Sequence, residues 1–395
     1  MRELSARVKT MTSSPTLKLV QIKKQLQSQG KVILDFGAGE PDFPTPQNIK
    51  DAGIEAIHGD FTKYTPTSGI AELKKAIRSS YEAEQGYAAS DSQVIVSPGS
   101  KYGLFLALQA VVDPGDEVIV PLPYWVSYPE MVKFCGGRVV YADHTRPERL
   151  FELTASSYIA PCTSRTKAVI VNSPSNPTGK VMAGEELAEL IDFFQRKNIL
   201  VLVDDCYRKI VYSDVAYPSP LTRVPAAVEH VAVVSSLSKT YAMTGWRLGY
   251  TIACESLAAA MTKIQEHSTS NPCSISQKAA VEALSGDQAA VRAMVEEYRR
   301  RRDYFAGRID RIGRIPYALP DGAFYFFADF SHFIKEKRFQ DDNQLAMDIL
   351  EKLNIILVPG SAFGAVNHLR ISYATSMEVI REGLDRLEAY LRHGG

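Results

Sequence analysis

Hydrophobic and polar positions change their period along the chain, and the changes divide it. Helical stretches near 46–58, 69–85, 100–112, 184–197 and 255–267 alternate with short Val/Ile-rich runs. The runs are Val94–Ser97, Glu117–Pro121, Arg138–Tyr141, Ala168–Asn172, Leu200–Asp204, Val231–Ser235 and Leu248–Ala253. They are apolar without alternation, which is the pattern of strands in a parallel sheet covered on both faces. One more strand is expected at Val32–Phe36. It follows a helix that Ser13 or Ser14 caps, Pro15 opens and Gly30 ends, with Leu17, Val20 and Leu26 as a rough apolar stripe. After about Ser276 the pattern turns. One long helical stretch runs to roughly Gly313, and strands at Ala323–Ala328, Ile355–Val358 and Leu369–Ser372 follow between helical stretches. A last helix covers about 376–392.

This predicts an α/β protein: a large domain with a mostly parallel central sheet and helices on both faces, plus a smaller α+β domain. The large domain is expected over 46–290 and the smaller over 291–395, with residues 1–45 packing on the smaller one because they precede the regular alternation.

Composition narrows the class. Apolar residues make up 45% and charged residues 23%, the proportions of a globular chain rather than a disordered or fibrous one. Lys plus Arg is 45 and Asp plus Glu is 45, so the basic excess of a nucleic-acid binder is missing. The longest uncharged apolar run, Tyr102 to Val112, stops at Asp113, short of the ~18 residues of a membrane span. Met1-Arg-Glu-Leu-Ser lacks the apolar stretch of a signal peptide. Cys135, Cys162, Cys206, Cys254 and Cys273 form no Cys-x-x-Cys pair, and the histidines show no metal spacing. A reducing cytoplasm, no disulfide and no metal are expected.

Several motifs fail on one residue. Gly37-Ala38-Gly39 resembles a dinucleotide fingerprint, but the third glycine position holds Asp42. Gly99-Ser100-Lys101 ends like a phosphate loop, yet Val94 stands where the upstream glycine belongs. Gly360-Ser361-Ala362-Phe363-Gly364 misplaces the serine of a nucleophile elbow. Ser236-Leu237-Ser238-Lys239 matches Ser-x-x-Lys of penicillin-binding enzymes, but their Ser-Asp-Asn and Lys-Thr-Gly companions are missing. The run Arg299-Arg300-Arg301-Arg302, one turn after Glu296 and Glu297, reads as a solvated helix face.

A constellation survives. Asn172-Ser-Pro-Ser-Asn176-Pro-Thr-Gly179, Asp204-Asp205-Cys206-Tyr207, Ser236-Leu-Ser-Lys239 and Gly99-Ser100-Lys101 each lie just past a strand, and Gly245-Trp246-Arg247-Leu248-Gly249 follows Lys239 by a few residues. The carboxyl edge of an open α/β sheet is where ligands bind. These residue types share one chemistry: a phosphate, a pyridine ring and an imine. Gly99 and Ser100 at a helix start offer N–H donors to a phosphate, and Arg247, Ser236 and Ser238 can complete the cup. A carboxylate such as Asp204 can keep a pyridine nitrogen protonated. An Asn and a Tyr can bind the ring's phenolic oxygen, and a desolvated lysine can form a Schiff base.

With these segments in place the chain resembles the class I aminotransferases, fold-type I enzymes of pyridoxal 5′-phosphate, and within them the bacterial aspartate and prephenate branch. The likeness runs from Gly39-Glu-Pro-Asp-Phe43 through Tyr64-Thr-Pro, Pro123-Tyr-Trp-Val-Ser-Tyr-Pro-Glu130 and Asn176-Pro-Thr-Gly179 to Leu369-Arg-Ile-Ser372. It implies that Lys239 is the Schiff-base lysine, that Asp204 pairs the pyridine nitrogen, and that Asn176 and Tyr207 contact the ring oxygen. Trp125 stacks on the ring. Ser100, Ser236, Ser238 and Arg247 hold the phosphate with Lys101 beside them, and Tyr64 reaches the phosphate of a neighbouring subunit. Arg370 and the Gly39 backbone receive the substrate's α-carboxylate, Trp125 and Asn176 border the substrate, and Lys101 receives a distal carboxylate. The family often reads Asp-Glu-x-Tyr where this chain has Asp204-Asp205-Cys206-Tyr207. Cys206 is expected to pack as a small apolar residue.

The activity implied is ping-pong transfer of an amino group between aspartate, or another amino acid, and 2-oxoglutarate by a cytoplasmic homodimer. Prephenate, aromatic or alanine transamination and a β-lyase are the rival pyridoxal chemistries. A regulator with an aminotransferase-like sensor is the rival outside enzymes. The roughly 30 residues before the first strand are expected to be too few for its DNA-binding region.

Overall fold

The computed structural model describes residues 3, 5–9, 11–12, 15–212 and 215–393. Ser13 and Ser14, the expected caps, lie outside them, and the helix that follows runs Pro15–Ser28. Among the described residues twelve strands are formed: β1 (Leu34–Asp35), β2 (Val94–Ser97), β3 (Glu117–Leu122), β4 (Arg138–Asp143), β5 (Thr166–Asn172), β6 (Leu200–Asp204), β7 (Val231–Ser236), β8 (Gly249–Ile252), β9 (Tyr325–Asp329), β10 (Ile355–Ile356), β11 (Val358–Pro359) and β12 (His368–Ser372).

Seven of them make one sheet in the order β2-β8-β7-β6-β5-β3-β4. Pairing is parallel except at β8, which runs against both β2 and β7. Alternate residues of each central strand enter opposite cores. Val201 and Val203 of β6 pack with the helices Ala71–Gln85, Gly184–Gln195 and Ser274–Ser285, while Leu202 packs with Ser100–Val111 and Glu255–Glu266. Burial on both faces is why these strands read as continuous apolar runs. The register sets Asn172 beside Asp204 and Ser236 beside Gly249, and Ser97 pairs Gly249 from the other side. The carboxyl ends of β2, β5, β6 and β7 therefore meet at one edge.

The C-terminal part builds a second core around Phe305, Phe324, Phe326, Leu369 and Leu384. Its antiparallel sheet has the order β11-β12-β9, and β1 pairs in parallel with β10, Leu34 opposite Ile355. The Ser372 N–H donates to the Phe36 carbonyl at 2.7 Å, so the chain just after β1 is clamped beside β12.

Three expectations need correction. The helical stretch after Ser276 is two helices, Ser274–Ser285 and Ala289–Ile312, because Gly286 leaves the helix with an extended backbone. Ile355–Val358 splits into β10 and β11, which serve different partners. The arginine run is only half solvated. Steps of about 100° per residue carry four consecutive side chains most of the way around a helix, so they cannot share one face. Arg299 and Arg300 pair outward with Glu296 and Glu297. Arg301 and Arg302 are buried, Arg301 on Asp42 at 2.8 Å and Arg302 on the Pro320 carbonyl at 3.1 Å. Among the described residues no helix is long and apolar enough to cross a membrane, and no cluster of His, Cys, Asp or Glu has metal geometry.

Gly383 lies inside the helix Met377–His393, where alanine normally gains about 1 kcal/mol. Here a Cβ would overlap the ring of the buried Phe36. Gly383→Ala should lower stability by about 1–3 kcal/mol in chemical denaturation. A gain would mean that the ring moves aside freely.

Candidate active site

The sheet edge opens into a cavity of about 730 Å³ that continues between the two cores. It is lined by Gly39, Ser100, Lys101, Trp125, Asn176, Asp204, Tyr207, Ser236, Ser238, Lys239, Arg247 and Arg370. Every expected site residue but one is thus brought together. The exception is Tyr64, which is 91% exposed and away from this cavity.

Asp204 ends β6 and is 3% exposed. Its carboxylate accepts from the Tyr128 hydroxyl at 2.7 Å and from the Cys206 N–H at 3.3 Å. Burial raises its pKa, opposed by those donors and by the charge of Lys239. Lys239 follows β7 on a one-turn helix, Leu237–Thr240, capped by the Ser236 hydroxyl, which accepts from the Ser238 N–H at 3.0 Å. Its ammonium donates to the Gly39 carbonyl at 2.5 Å. Burial lowers the Lys239 pKa. Cys206 and Glu40 oppose the shift, and the charges of Arg370 and Arg247 add to it.

A cup with anion-binding character lies at the start of the helix Ser100–Val111, where free N–H groups and the helix dipole favour negative charge. Ser236, Ser238 and Arg247 border it. The Arg247 guanidinium leans over Gly99, and a Cβ there would stand 2.6 Å from Nη2. Gly99 also has φ +87°, so position 99 needs glycine on two counts.

Arg370 projects from β12 and is 3% exposed. Its Nη1 donates to Asn176 Oδ1 at 3.2 Å and its Nη2 to the Gly37 carbonyl at 2.8 Å. Its buried Nε has no hydrogen-bond partner. That orphaned donor, beside a cavity, fits a carboxylate acceptor. Lys101 is exposed at the rim, its ammonium 4.8 Å from the centroid of the Trp125 ring. Partial burial lowers its pKa, and the Arg247 charge adds to the shift. The Tyr207 and Tyr325 hydroxyls share a hydrogen bond at 2.8 Å.

Sequence reasoning missed Tyr128, Tyr325, Lys23, Asp35 and Glu40, all on the cavity wall. Tyr128 had a signal, since it stands three residues after Trp125. Cys206 packs against the second core as expected and also faces the cavity.

The comparisons agree with this geometry. The family "Aminotransferase class I and II" matches residues 31–387. The chain is 39% identical to an aspartate aminotransferase of Bacillus sp. (strain YM-2), covering 99% of this chain and all of that one. It is 41% identical to an aspartate/prephenate aminotransferase of Nitrosomonas europaea, over 98% of this chain and all of the other. The aspartate aminotransferase structure from Rhizobium meliloti superposes with a TM-score of 0.94 at 38% identity, covering 99% of both chains. The fold is that of a fold-type I transferase. The chain belongs to the class I and II aminotransferases, enzymes that use pyridoxal 5′-phosphate to exchange amino groups between amino acids and 2-oxo acids.

The residues present fit that cofactor. The cup offers N–H groups, hydroxyls and an arginine to a phosphate. Asp204 is a buried carboxylate whose hydrogen bonds come from neutral groups, so a cationic ring N–H is the partner its burial calls for. Lys239 is a desolvated amine in the same cavity.

Behind Asp204 lies Asp205, fully buried, its carboxylate 3.6 Å from Arg208 Nε. Burial pushes Asp205 up to about 7, and the Arg208 charge holds it from rising further. Arg208 also donates to Glu84 and to the Tyr250 hydroxyl. Removing one partner of a buried pair costs about 3–5 kcal/mol, so Arg208→Met should unfold at clearly lower denaturant. The pH dependence has a definite sign. A carboxyl whose folded pKa is raised loses stability as pH rises through the interval between its unfolded and folded values. Without Arg208 that loss continues above pH 7, so the variant's deficit should be larger at pH 8 than at pH 6. An equal deficit at both would show that Asp205 does not depend on Arg208.

Proposed function

We propose that this enzyme transfers the amino group between aspartate and 2-oxoglutarate, in alternating half-reactions, as a cytoplasmic homodimer. The observation that carries the reading is the pair of cations in one cavity: buried Arg370 at the inner wall and Lys101 at the rim. Two carboxylates on one substrate call for two such partners. The relatives named for aspartate, and for aspartate and prephenate, support it. We take residues 46–290 as the cofactor-binding unit, with 291–395 and the N-terminal segment as the smaller unit. The pairing of β1 with β10 supports that division.

Bound pyridoxal phosphate supplies a carbonyl for the amino group and a ring that draws electrons from the carbon losing its proton. The chain supplies the rest. Asp204 would keep a proton on the ring nitrogen, and Tyr128 and the Cys206 N–H hold its carboxylate in place. Lys239 would hold the cofactor covalently through its side-chain amine, and that amine, when free, would carry the α-proton. Its lowered pKa raises the share of neutral amine, which both tasks need. Asn176 and Tyr207 would hydrogen-bond the ring oxygen, and Trp125 would stack on the ring. Ser100, Ser236, Ser238 and Arg247 would hold the phosphate. Arg370 and Gly39 seat the α-carboxylate. Tyr64, 91% exposed in the single chain, is free to reach across to the phosphate held by a partner subunit.

Lys101 carries the substrate assignment. Its charge sits at the start of a helix, the electrostatically unfavourable end for a cation, which speaks for a role beyond solvation. Lys101→Ala should lower kcat/KM for aspartate and 2-oxoglutarate by roughly 10- to 150-fold, the worth of one charge-assisted contact. Alanine and phenylalanine should stay within a few-fold, and prephenate, which has a second carboxylate, should follow the acidic group. The same preparations should run at the mass of a dimer. Equal losses for acidic and neutral substrates would overturn the acidic assignment.

A further inference from the structure

A second line of polar contacts reaches Arg370 from behind, and none of the roles above uses it. Lys23, on the helix Pro15–Ser28, places its ammonium 2.6 Å from Asp35 Oδ2. Asp35, at the end of β1, uses Oδ1 to accept the Gly37 N–H at 2.9 Å. The Gly37 carbonyl in turn accepts from Arg370 Nη2 at 2.8 Å. Lys23, Asp35, Gly37 and Arg370 all line the cavity. The line thus joins the N-terminal helix to the arginine that meets the substrate.

As a stabiliser this ion pair is worth little, since its side chains are 32% and 23% exposed and solvent screens such pairs. Its place matters more. A bare carboxylate in this wall would repel an incoming substrate carboxylate. It would also compete for Arg370, whose charge it already favours against burial, together with the phenols of Tyr325 and Tyr207. Lys23 occupies Oδ2, cancels the charge and leaves Oδ1 on the Gly37 peptide. The Gly37 carbonyl then stays in the position that fixes one arm of the Arg370 fork, while Nε remains unpartnered.

We propose that Lys23 is a positioning residue for carboxylate binding: by holding Asp35 onto the Gly37 peptide it sets Arg370 and screens the substrate from the Asp35 charge. This rests on the reading of Arg370 as the partner of the α-carboxylate. Its consequence differs from that of Lys101, because every amino acid and every 2-oxo acid carries an α-carboxylate.

The test is steady-state and half-reaction kinetics of Lys23→Met, Lys23→Arg, Asp35→Asn and Lys23→Met/Asp35→Asn, with thermal unfolding measured alongside. Lys23→Met should raise KM about fivefold or more for acidic and neutral substrates alike, with kcat within about twofold, since an unpaired charge is left facing the site. Lys23→Arg should restore the wild-type KM. Asp35→Asn keeps an acceptor for Gly37 without the charge, so it should not raise KM, and adding it to Lys23→Met should recover most of the loss. If Lys23→Met does not fold, the double variant and Asp35→Asn carry the test. A raised KM in both, or a lowered melting temperature with unchanged KM in Lys23→Met, overturns the proposal. Arg370→Ala separates the two levels. A raised KM there beside an unchanged one in Lys23→Met overturns this inference alone, whereas an unchanged KM in Arg370→Ala overturns the reading of Arg370 and the inference with it.

Discussion

A carboxylate sealed at the end of a buried strand is an expensive thing to build, and the site is arranged around that cost. Asp204 sits where β6 leaves the sheet, almost without solvent, and its hydrogen bonds come from a phenol and a peptide N–H. Burial alone pushes such a group toward its neutral form. On the proposed assignment a protonated ring nitrogen would reverse that preference. Lys239 shows the mirror image. Burial disfavours its ammonium and so favours the neutral amine that the proposed covalent attachment and proton transfer would require. One sheet edge thus shifts an acid upward and a base downward by burial, the arrangement expected of a site built for proton transfer.

The sheet makes this possible because its strands end in register. Asn172 lies beside Asp204, and Ser97 and Ser236 flank Gly249 from either side. The second core then closes the cavity from above. Its strand β12 brings Arg370, and the β1–β10 pairing brings Gly37 and Gly39 to the same wall. On the proposed assignment cofactor and substrate groups would be held by different parts of the fold, with Lys239 bonded to Gly39 across the join.

Much of this was legible along the chain, and what was not has a common cause. Asp204 and Tyr207, three apart, and Lys239 with Arg247 downstream sit in short windows past apolar runs, so local pattern located them. The antiparallel course of β8 left no trace, since apolar content says nothing of strand direction. The role of Tyr128 depends on a partner 76 residues away, and the line from Lys23 to Arg370 joins residues from opposite ends of the chain. The burial of Arg301 was hidden because its partner is Asp42, the residue whose presence excluded a dinucleotide fingerprint. Tyr64 is exposed in the single chain, so the residues it would meet in the proposed dimer lie outside what one chain's pattern can reveal.

The most direct test of the account is chemical trapping of the cofactor. The protein is loaded with pyridoxal 5′-phosphate, reduced with borohydride, digested and mapped by mass spectrometry, with Lys239→Ala treated in parallel. The account predicts one phosphopyridoxyl adduct, on Lys239, and none in Lys239→Ala, which should still retain the cofactor through Asp204, Ser236 and Arg247. An adduct on Lys101 or Lys23 in the wild type, or an undiminished adduct in Lys239→Ala, would contradict it.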